Sequence, residues 1–176
     1  MSKRYPARLV ATAYHEAGHA AVAFDLGIRV RGASIIPDGD ALGHVLHGFE
    51  RWVGEIAYDV TPYREARIHR HIMVCLAGAE AEALHRHRYN HAGAWGDRET
   101  AIALANYLVG SSEECEALLA WLTIRTRNRL RSARVHRYTA AVADALLERQ
   151  RLSAEQLGAV LRAAQAALRP PPQSAR

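Results

Sequence analysis

Apolar and small side chains recur with the period of an α-helix in the first part of the chain. Between residues 7 and 26 these positions are Leu9, Val10, Ala13, Ala17, Ala20, Ala21 and Phe24. Gly27 interrupts the pattern, so we predict a helix over residues 7–26. A second set of positions predicts a helix from Pro62, directly after Thr61, to about residue 88. Its apolar members are Ile68, Ile72, Cys75, Leu76, Ala79 and Ala83.

Two short β-prone runs separate these helices. They are RGASII at residues 31–36 and GHVLHG at residues 43–48, and PDGDAL lies between them. Proline, aspartate and glycine favour turns, so the pattern predicts a small hairpin.

The rest of the chain is predicted to be helical. A third helix runs from about residue 97 to 109, and two capping-box sequences, SSEE at 111–114 and SAEQ at 153–156, open later helices. The final PPPQSAR cannot continue a helix. We therefore predict a mainly α fold with a small β-hairpin beside the first helix. It forms one domain over residues 1–169, helical from about residue 111, with a proline-rich tail at 170–176.

Composition narrows the class of protein. The chain has 176 residues, 49% of them hydrophobic and 23% charged, which suits one globular domain. Its two cysteines form no C-x-x-C pair, so neither a disulfide framework nor a thiolate zinc site is indicated. The N-terminus has no signal-peptide pattern and the longest apolar run, IMVCLAGA, is too short to span a bilayer. We expect a cytoplasmic protein without a membrane partner.

The first predicted helix contains the sequence HEAGH at residues 15–19. Successive helical residues turn by about 100°, so His15 and His19 share a face and can reach one metal ion. Glu16 lies on the flank of that face, where its carboxylate can act as a general base on a water molecule. Imidazole is a good zinc ligand, and catalytic zinc needs three protein ligands and an open position.

The third ligand is not determined by sequence spacing. Asp25 lies six residues after His19, but Val22 occupies the position where a chain that bends back to the metal needs glycine. The remaining acidic candidates are Glu80, Glu82 and Asp97.

Four stretches resemble, in order and spacing, the peptidase domain of the FtsH family of ATP-dependent zinc proteases. They are HEAGHA, SIIPDGDALGHVLH, LAGAEAEAL and GAWGDRETAIALANYLV, and the similarity extends from about residue 8 to 162. The resemblance implies a helical peptidase fold, Zn2+ as cofactor, and His15, His19 and Asp97 as its ligands. It implies that Glu16 is the catalytic glutamate. Glu82 matches a family glutamate, and we expect it to orient one imidazole.

The sequence also departs from the family. Ala77 and Ala79 replace a glycine and an arginine, and Trp95 and Gly96 replace small polar residues. Asp97 has an alternative interpretation as the N-cap of the third helix. No phosphate-binding loop or membrane segment is visible, so we expect a standalone peptidase domain.

The resemblance predicts a zinc endopeptidase that cleaves flexible or unfolded polypeptides. An extended peptide would add to an edge strand of the hairpin, with Ile35, Gly43 and His44 predicted to contact it. A separate ATPase and further copies of the chain are possible partners.

Two alternatives remain. A catalytically silent relative could keep the fold as a binding or regulatory module. A nucleic-acid binder is suggested by an arginine-rich stretch that contains Arg125, Arg127, Arg129, Arg131, Arg134 and Arg137. Residues two apart point to different sides of a helix and no aromatic residues alternate with them, so a solvated or partner-docking face is favoured. We expect no nucleic-acid partner.

Overall fold

A computed structural model describes residues 5–37, 61–91 and 93–168, together with the backbone of residues 44–47. Six helices and a small antiparallel sheet make up this part of the chain, which confirms the prediction of a mainly α fold. In chain order the elements are α1 (Ala7–Asp25), β1 (Val30–Ser34), β2 (His44–His47), α2 (Pro62–Arg86), α3 (Trp95–Ala105), α4 (Ser112–Arg131), α5 (Ala133–Arg149), β3 (Arg151–Ser153) and α6 (Ala154–Ala166). No helix within these ranges is long and apolar enough to cross a bilayer.

The predicted helix starts are confirmed by their caps. The Thr61 hydroxyl accepts a hydrogen bond from the N–H of Arg64, and Pro62 is the first residue of α2. Complete capping boxes open α4 at Ser111 and α6 at Ser153. These helix starts could be predicted from the sequence because each cap involves residues only three positions apart.

Helices α1 and α2 pack with almost no space between their backbones. A β-carbon at Gly18 of α1 would lie 2.5 Å from the carbonyl oxygen of Ala77 and 2.5 Å from the β-carbon of Ala81, both on α2. Only glycine at this position, facing alanines, permits so close an approach. The histidines of α1 therefore lie directly against α2.

The sheet has the strand order β2-β1-β3, with both pairs antiparallel. Pairing of β1 with β2 confirms the predicted hairpin. The third strand, β3, was missed, since the sequence predicted only helices in this region. The N–H of Ile35 continues the pairing by donating to the carbonyl of Gln150, at 2.9 Å. Among the described strands, β2 and β3 therefore form the edges.

The core lies between α1, α2 and the three C-terminal helices. α1 packs against α2 and also against α5, where Phe24 meets Tyr138 edge to face with ring centroids 5.3 Å apart. Fully buried large side chains come from most elements, including Ile68, Ile72, Leu104, Leu122, Tyr138, Leu146, Leu152, Leu157 and Leu161. α1 is thus held on two sides, with its HEAGH residues facing α2 and α3.

The arginine-rich stretch contributes to internal contacts. Arg127 makes a bidentate pair with Glu80 of α2, at 2.8 and 2.9 Å. Arg129 and Arg134 both pair with Asp25 at the end of α1. The Arg125 guanidinium lies 5.0 Å from the Trp121 ring centroid. Arg127, Arg129 and Arg134 thus join helices to one another.

Candidate metal centre

His15 and His19 lie one turn apart on α1 and point the same way. Their ring centroids are 4.9 Å apart, and His19 is only 6% exposed. Because α1 is packed against α2 through Gly18, both rings are directed into the space between α1, α2 and α3.

Asp97 of α3 meets both rings at one oxygen atom. Its Oδ2 lies 2.9 Å from Nε2 of His15 and 3.1 Å from Nε2 of His19. In tetrahedral zinc sites, bond lengths of about 2.0–2.1 Å place ligand atoms about 3.3 Å apart. The donors therefore need to separate by only a few tenths of an ångström to admit an ion. In the described part of the chain, these three residues are the group with metal-ligand spacing.

The polar contacts behind each ring leave Nε2 directed at the centre. Nδ1 of His19 donates to the carbonyl of Val74 at 2.7 Å, and a carbonyl can only accept. Nδ1 of His15 lies 3.5 Å from Oε2 of Glu82. In neutral imidazoles with protons on Nδ1, Nε2 carries a free lone pair, which is the form that binds zinc.

Gly78 of α2 provides the space in front of these nitrogens. A β-carbon at this residue would overlap Nε2 of His19 and collide with Nε2 of His15. The donor set and the space left by glycine together fit a zinc ion. Gly78 was not predicted from the sequence, although its place in the LAGAEAEAL stretch was a usable signal.

The electrostatics of the cluster favour a cation at its centre. Burial alone would lower the pKa of both imidazoles, but the neighbouring carboxylates together outweigh it, with Asp97 and Glu16 acting on both rings and Glu82 on His15. The pKa of His15 is raised to about 10, and the pKa of His19 is raised as well. Burial alone would raise the pKa of Asp97, but the two imidazoles hold it far below its usual value. Protons and a divalent metal would therefore compete for the same site.

Glu16 is buried beside the two histidines. It is 5% exposed and close enough to both rings to stabilise their protonated forms. It follows His15 in the helix and is not part of the three-residue donor cluster. This position suits a group that exchanges protons next to the metal without binding it.

The structure distinguishes the acidic residues that spacing left open. Asp25 and Glu80 are both engaged with arginines and lie outside the cluster. Glu82 lies behind His15, with its Oε2 3.5 Å from Nδ1 of that ring. Asp97 is the third residue of α3, whose N-cap position is Ala94 and carries no side-chain cap, so the capping interpretation of Asp97 is wrong.

The three predicted substrate contacts have different positions in the structure. Ile35 is 2% exposed within the core and its N–H is bonded to Gln150, so the structure corrects its predicted substrate contact to a core position. Gly43 lies outside the described residues. His44 is the first residue of β2, whose backbone forms an edge of the sheet next to α1.

Two histidines of an HExxH helix and a distant aspartate that converge in a helical fold are typical of the HExxH class of metallopeptidases. Residues 6–114 match peptidase family M41, and the chain belongs to this family. The resemblance to FtsH-type peptidases is therefore confirmed.

A similar protein is the "ATP-dependent zinc metalloprotease FTSH 9, chloroplastic/mitochondrial" of Oryza sativa subsp. japonica. It is 34% identical over 113 residues, which are 62% of this chain and 14% of that protein. The chain thus spans a small part of this relative's length. The relative's name places it in chloroplasts or mitochondria, and cytoplasmic localisation of the present chain stays a prediction.

Proposed function

We propose that this chain is a zinc-dependent endopeptidase that cleaves flexible or unfolded polypeptides. The observation that supports it most is the convergence of His15 Nε2, His19 Nε2 and Asp97 Oδ2 in front of Gly78. Membership of peptidase family M41 agrees with this chemistry.

Zinc, when bound, would supply a Lewis acid and lower the pKa of water to about 7. The protein residues have separate roles. Val74 and Glu82 hold the two imidazoles in the tautomer that leaves Nε2 free. Glu16 accepts a proton from the attacking water and delivers it to the departing amine. Burial of Glu16 keeps bulk water away from this transfer.

Backbone pairing is the proposed mode of substrate binding. β2 is an edge strand next to α1, and an extended peptide could add to it by main-chain hydrogen bonds. Such binding depends on the peptide backbone more than on its side chains. It therefore needs a substrate segment that is not already folded. The relative is named ATP-dependent, so a partner ATPase that delivers unfolded chains to this site is part of the proposal, and so is assembly into homo-oligomers.

The test combines metal analysis with cleavage of casein or a flexible peptide. The unaltered chain is expected to carry one zinc and to cleave. Glu16→Gln should keep the zinc but lose about 10²–10⁴-fold in kcat, since general-base catalysis contributes that much. Glu116→Gln, at an exposed glutamate on α4, is the matched control and should cleave normally.

Two results would contradict the proposal. Equal cleavage by the Glu16→Gln variant would remove Glu16 from the mechanism. Bound zinc with no cleavage by the unaltered chain would favour the alternative of a binding or regulatory module.

A further inference from the structure

Glu82, behind His15, is held by two other side chains. Nη1 of Arg86 donates to Oε1 of Glu82 at 2.7 Å, and Nδ2 of Asn90 donates to the same oxygen at 3.3 Å. Oε2 is left to face Nδ1 of His15. We call Glu82, Arg86 and Asn90 the Glu82 cluster.

The carboxylate of the Glu82 cluster is buried and held in one orientation. The Glu82 side chain is only 5% exposed, and its Oε1 accepts hydrogen bonds from both Arg86 and Asn90. A fixed carboxylate acceptor behind Nδ1 sets the ring orientation and strengthens His15 as a ligand.

Asn90 also fixes the chain that leads to Asp97. Its Oδ1 accepts the N–H of Gly93 at 3.2 Å, and its main-chain carbonyl accepts the N–H of Ala94 at 3.2 Å. Ala94 is the N-cap residue of α3, three positions before Asp97. A β-carbon on Gly93 would lie 2.6 Å from Nδ2 of Asn90, so this turn closes tightly around the amide.

The Asn90 side chain thus contacts Glu82, which lies behind His15, and Gly93, in the turn that leads to Asp97. We propose that Asn90 is a positioning residue that sets the zinc affinity of the site. It acts on His15 through Glu82 and on Asp97 through the turn at Gly93 and Ala94, while Arg86 supports the same carboxylate. This inference rests on the proposed function, because it assumes that zinc binds at His15, His19 and Asp97.

The two contacts of Asn90 can be separated by substitution. Asn90→Ala removes both. Asn90→Asp keeps an acceptor for the Gly93 N–H but presents a carboxylate oxygen to Glu82, where an N–H now donates. Arg86→Ala removes the second donor to Glu82 and leaves the turn intact, and its side chain is 40% exposed, so the fold should tolerate the change.

The experiment measures the zinc dissociation constant by competition with a chelator of known affinity. Loss of outer contacts to a metal ligand typically costs about 10–100-fold in affinity, so each of the three variants should bind zinc about 10-fold more weakly or worse. Asn106→Ala at the end of α3 and Arg88→Ala beyond α2 are matched controls. Both residues are exposed and make none of these contacts, so both variants should stay within about twofold of the unaltered chain.

The unfolding midpoint of each zinc-stripped variant separates positioning from general destabilisation. We expect Asn90→Asp and Arg86→Ala to leave this midpoint close to that of the unaltered chain while zinc affinity falls. Unchanged affinity in both Asn90 variants would overturn the inference, whatever the result for Arg86→Ala, and would leave the proposed function intact. If the unaltered chain bound no zinc, the proposed function would fail and this inference with it.

Discussion

Gly78 shows how one residue on a neighbouring helix can decide whether a metal site exists. The histidines belong to α1, yet the volume in front of their Nε2 atoms is set by the missing side chain on α2. Any larger residue would collide with these nitrogens. A glycine in a helix interior costs about 1 kcal/mol relative to alanine, so its presence in α2 is unfavourable for the helix alone.

Gly78→Ala should therefore have opposite effects on zinc binding and on the helix. We expect zinc affinity to fall by at least about 100-fold, because a shifted imidazole loses a first ligand rather than an outer contact. The better helix propensity of alanine offsets part of the steric strain, so the chain should stay folded.

Zinc titration and circular dichroism would measure both effects. Gly96→Ala is the matched control, since a β-carbon there meets no atom within 4 Å. Undiminished zinc binding by the Gly78→Ala variant would show that the ion does not lie where we place it.

At this scale the sequence supported only part of the site. The geometry of His15 and His19 follows from helical periodicity alone. Asp97 is 78 residues beyond His19, and only the family resemblance selected it. Gly78 was missed, because the LAGAEAEAL stretch could mark it only by resemblance and its steric role depends on how closely α1 and α2 approach. Glu80 and Glu82 are two residues apart, so the one that faces His15 depends on the rotation of α2 about its axis.

At the scale of elements, buried carboxylates join distant helices. Glu80 on α2 is 3% exposed and pairs with Arg127 on α4, and Asp25 at the end of α1 pairs with Arg129 and Arg134. In sequence, Arg127 lies 47 residues from Glu80, and Arg129 lies 104 residues from Asp25. Periodicity describes one helix at a time, so the sequence pattern could show a row of arginines but not their partners.

Removing the arginine of such a pair should be costly. Arg127→Ala leaves the Glu80 carboxylate buried without its bidentate partner, and breaking a buried pair in this way typically costs about 3–5 kcal/mol. Because the Arg127 side chain is 39% exposed, water can enter in its place, and we expect about 2–3 kcal/mol.

Urea denaturation would give the free energy of unfolding for this variant. Arg131→Ala, at an exposed arginine of the same helix, should change it by less than about 0.5 kcal/mol. If both variants were equally stable, the Glu80–Arg127 pair would contribute nothing to the packing of α2 on α4. Zinc affinity should be unchanged in both variants, because neither arginine contacts His15, His19 or Asp97.

β3 illustrates a different limit of sequence analysis. It has three residues between two helices, and only Leu152 is buried. No periodicity can be recognised over so short a run. The segment becomes a strand because β1 presents a free edge to it, which is a property of the assembled fold and not of residues 151–153 themselves.

At the scale of the whole molecule, the metal-binding residues and the core that holds them come from different parts of the chain. The family match covers residues 6–114 and includes every proposed zinc ligand. Nearly all of α4 and the whole of α5 and α6 lie beyond this region, yet α5 packs along α1, α4 packs on α2, and β3 extends the sheet from β1. The sequence indicated helices here, but it could not show that they cover the back of the metal-binding helix.

A chain from which residues 111–176 are deleted should therefore fail to fold, although it keeps the complete ligand set. α1 would expose the face that now meets α5, including the contact between Phe24 and Tyr138, and Glu80 and Asp25 would lose their arginines. With this much apolar surface exposed, we expect no cooperative unfolding transition and loss of tight zinc binding, because the rings and Asp97 are no longer held together. The control lacks only the proline-rich residues 170–176 and should unfold and bind zinc like the full chain. A cooperative transition with normal zinc affinity in the longer deletion would contradict the prediction of a single domain over residues 1–169, since it would show that the metal-binding part folds independently of the helices behind it.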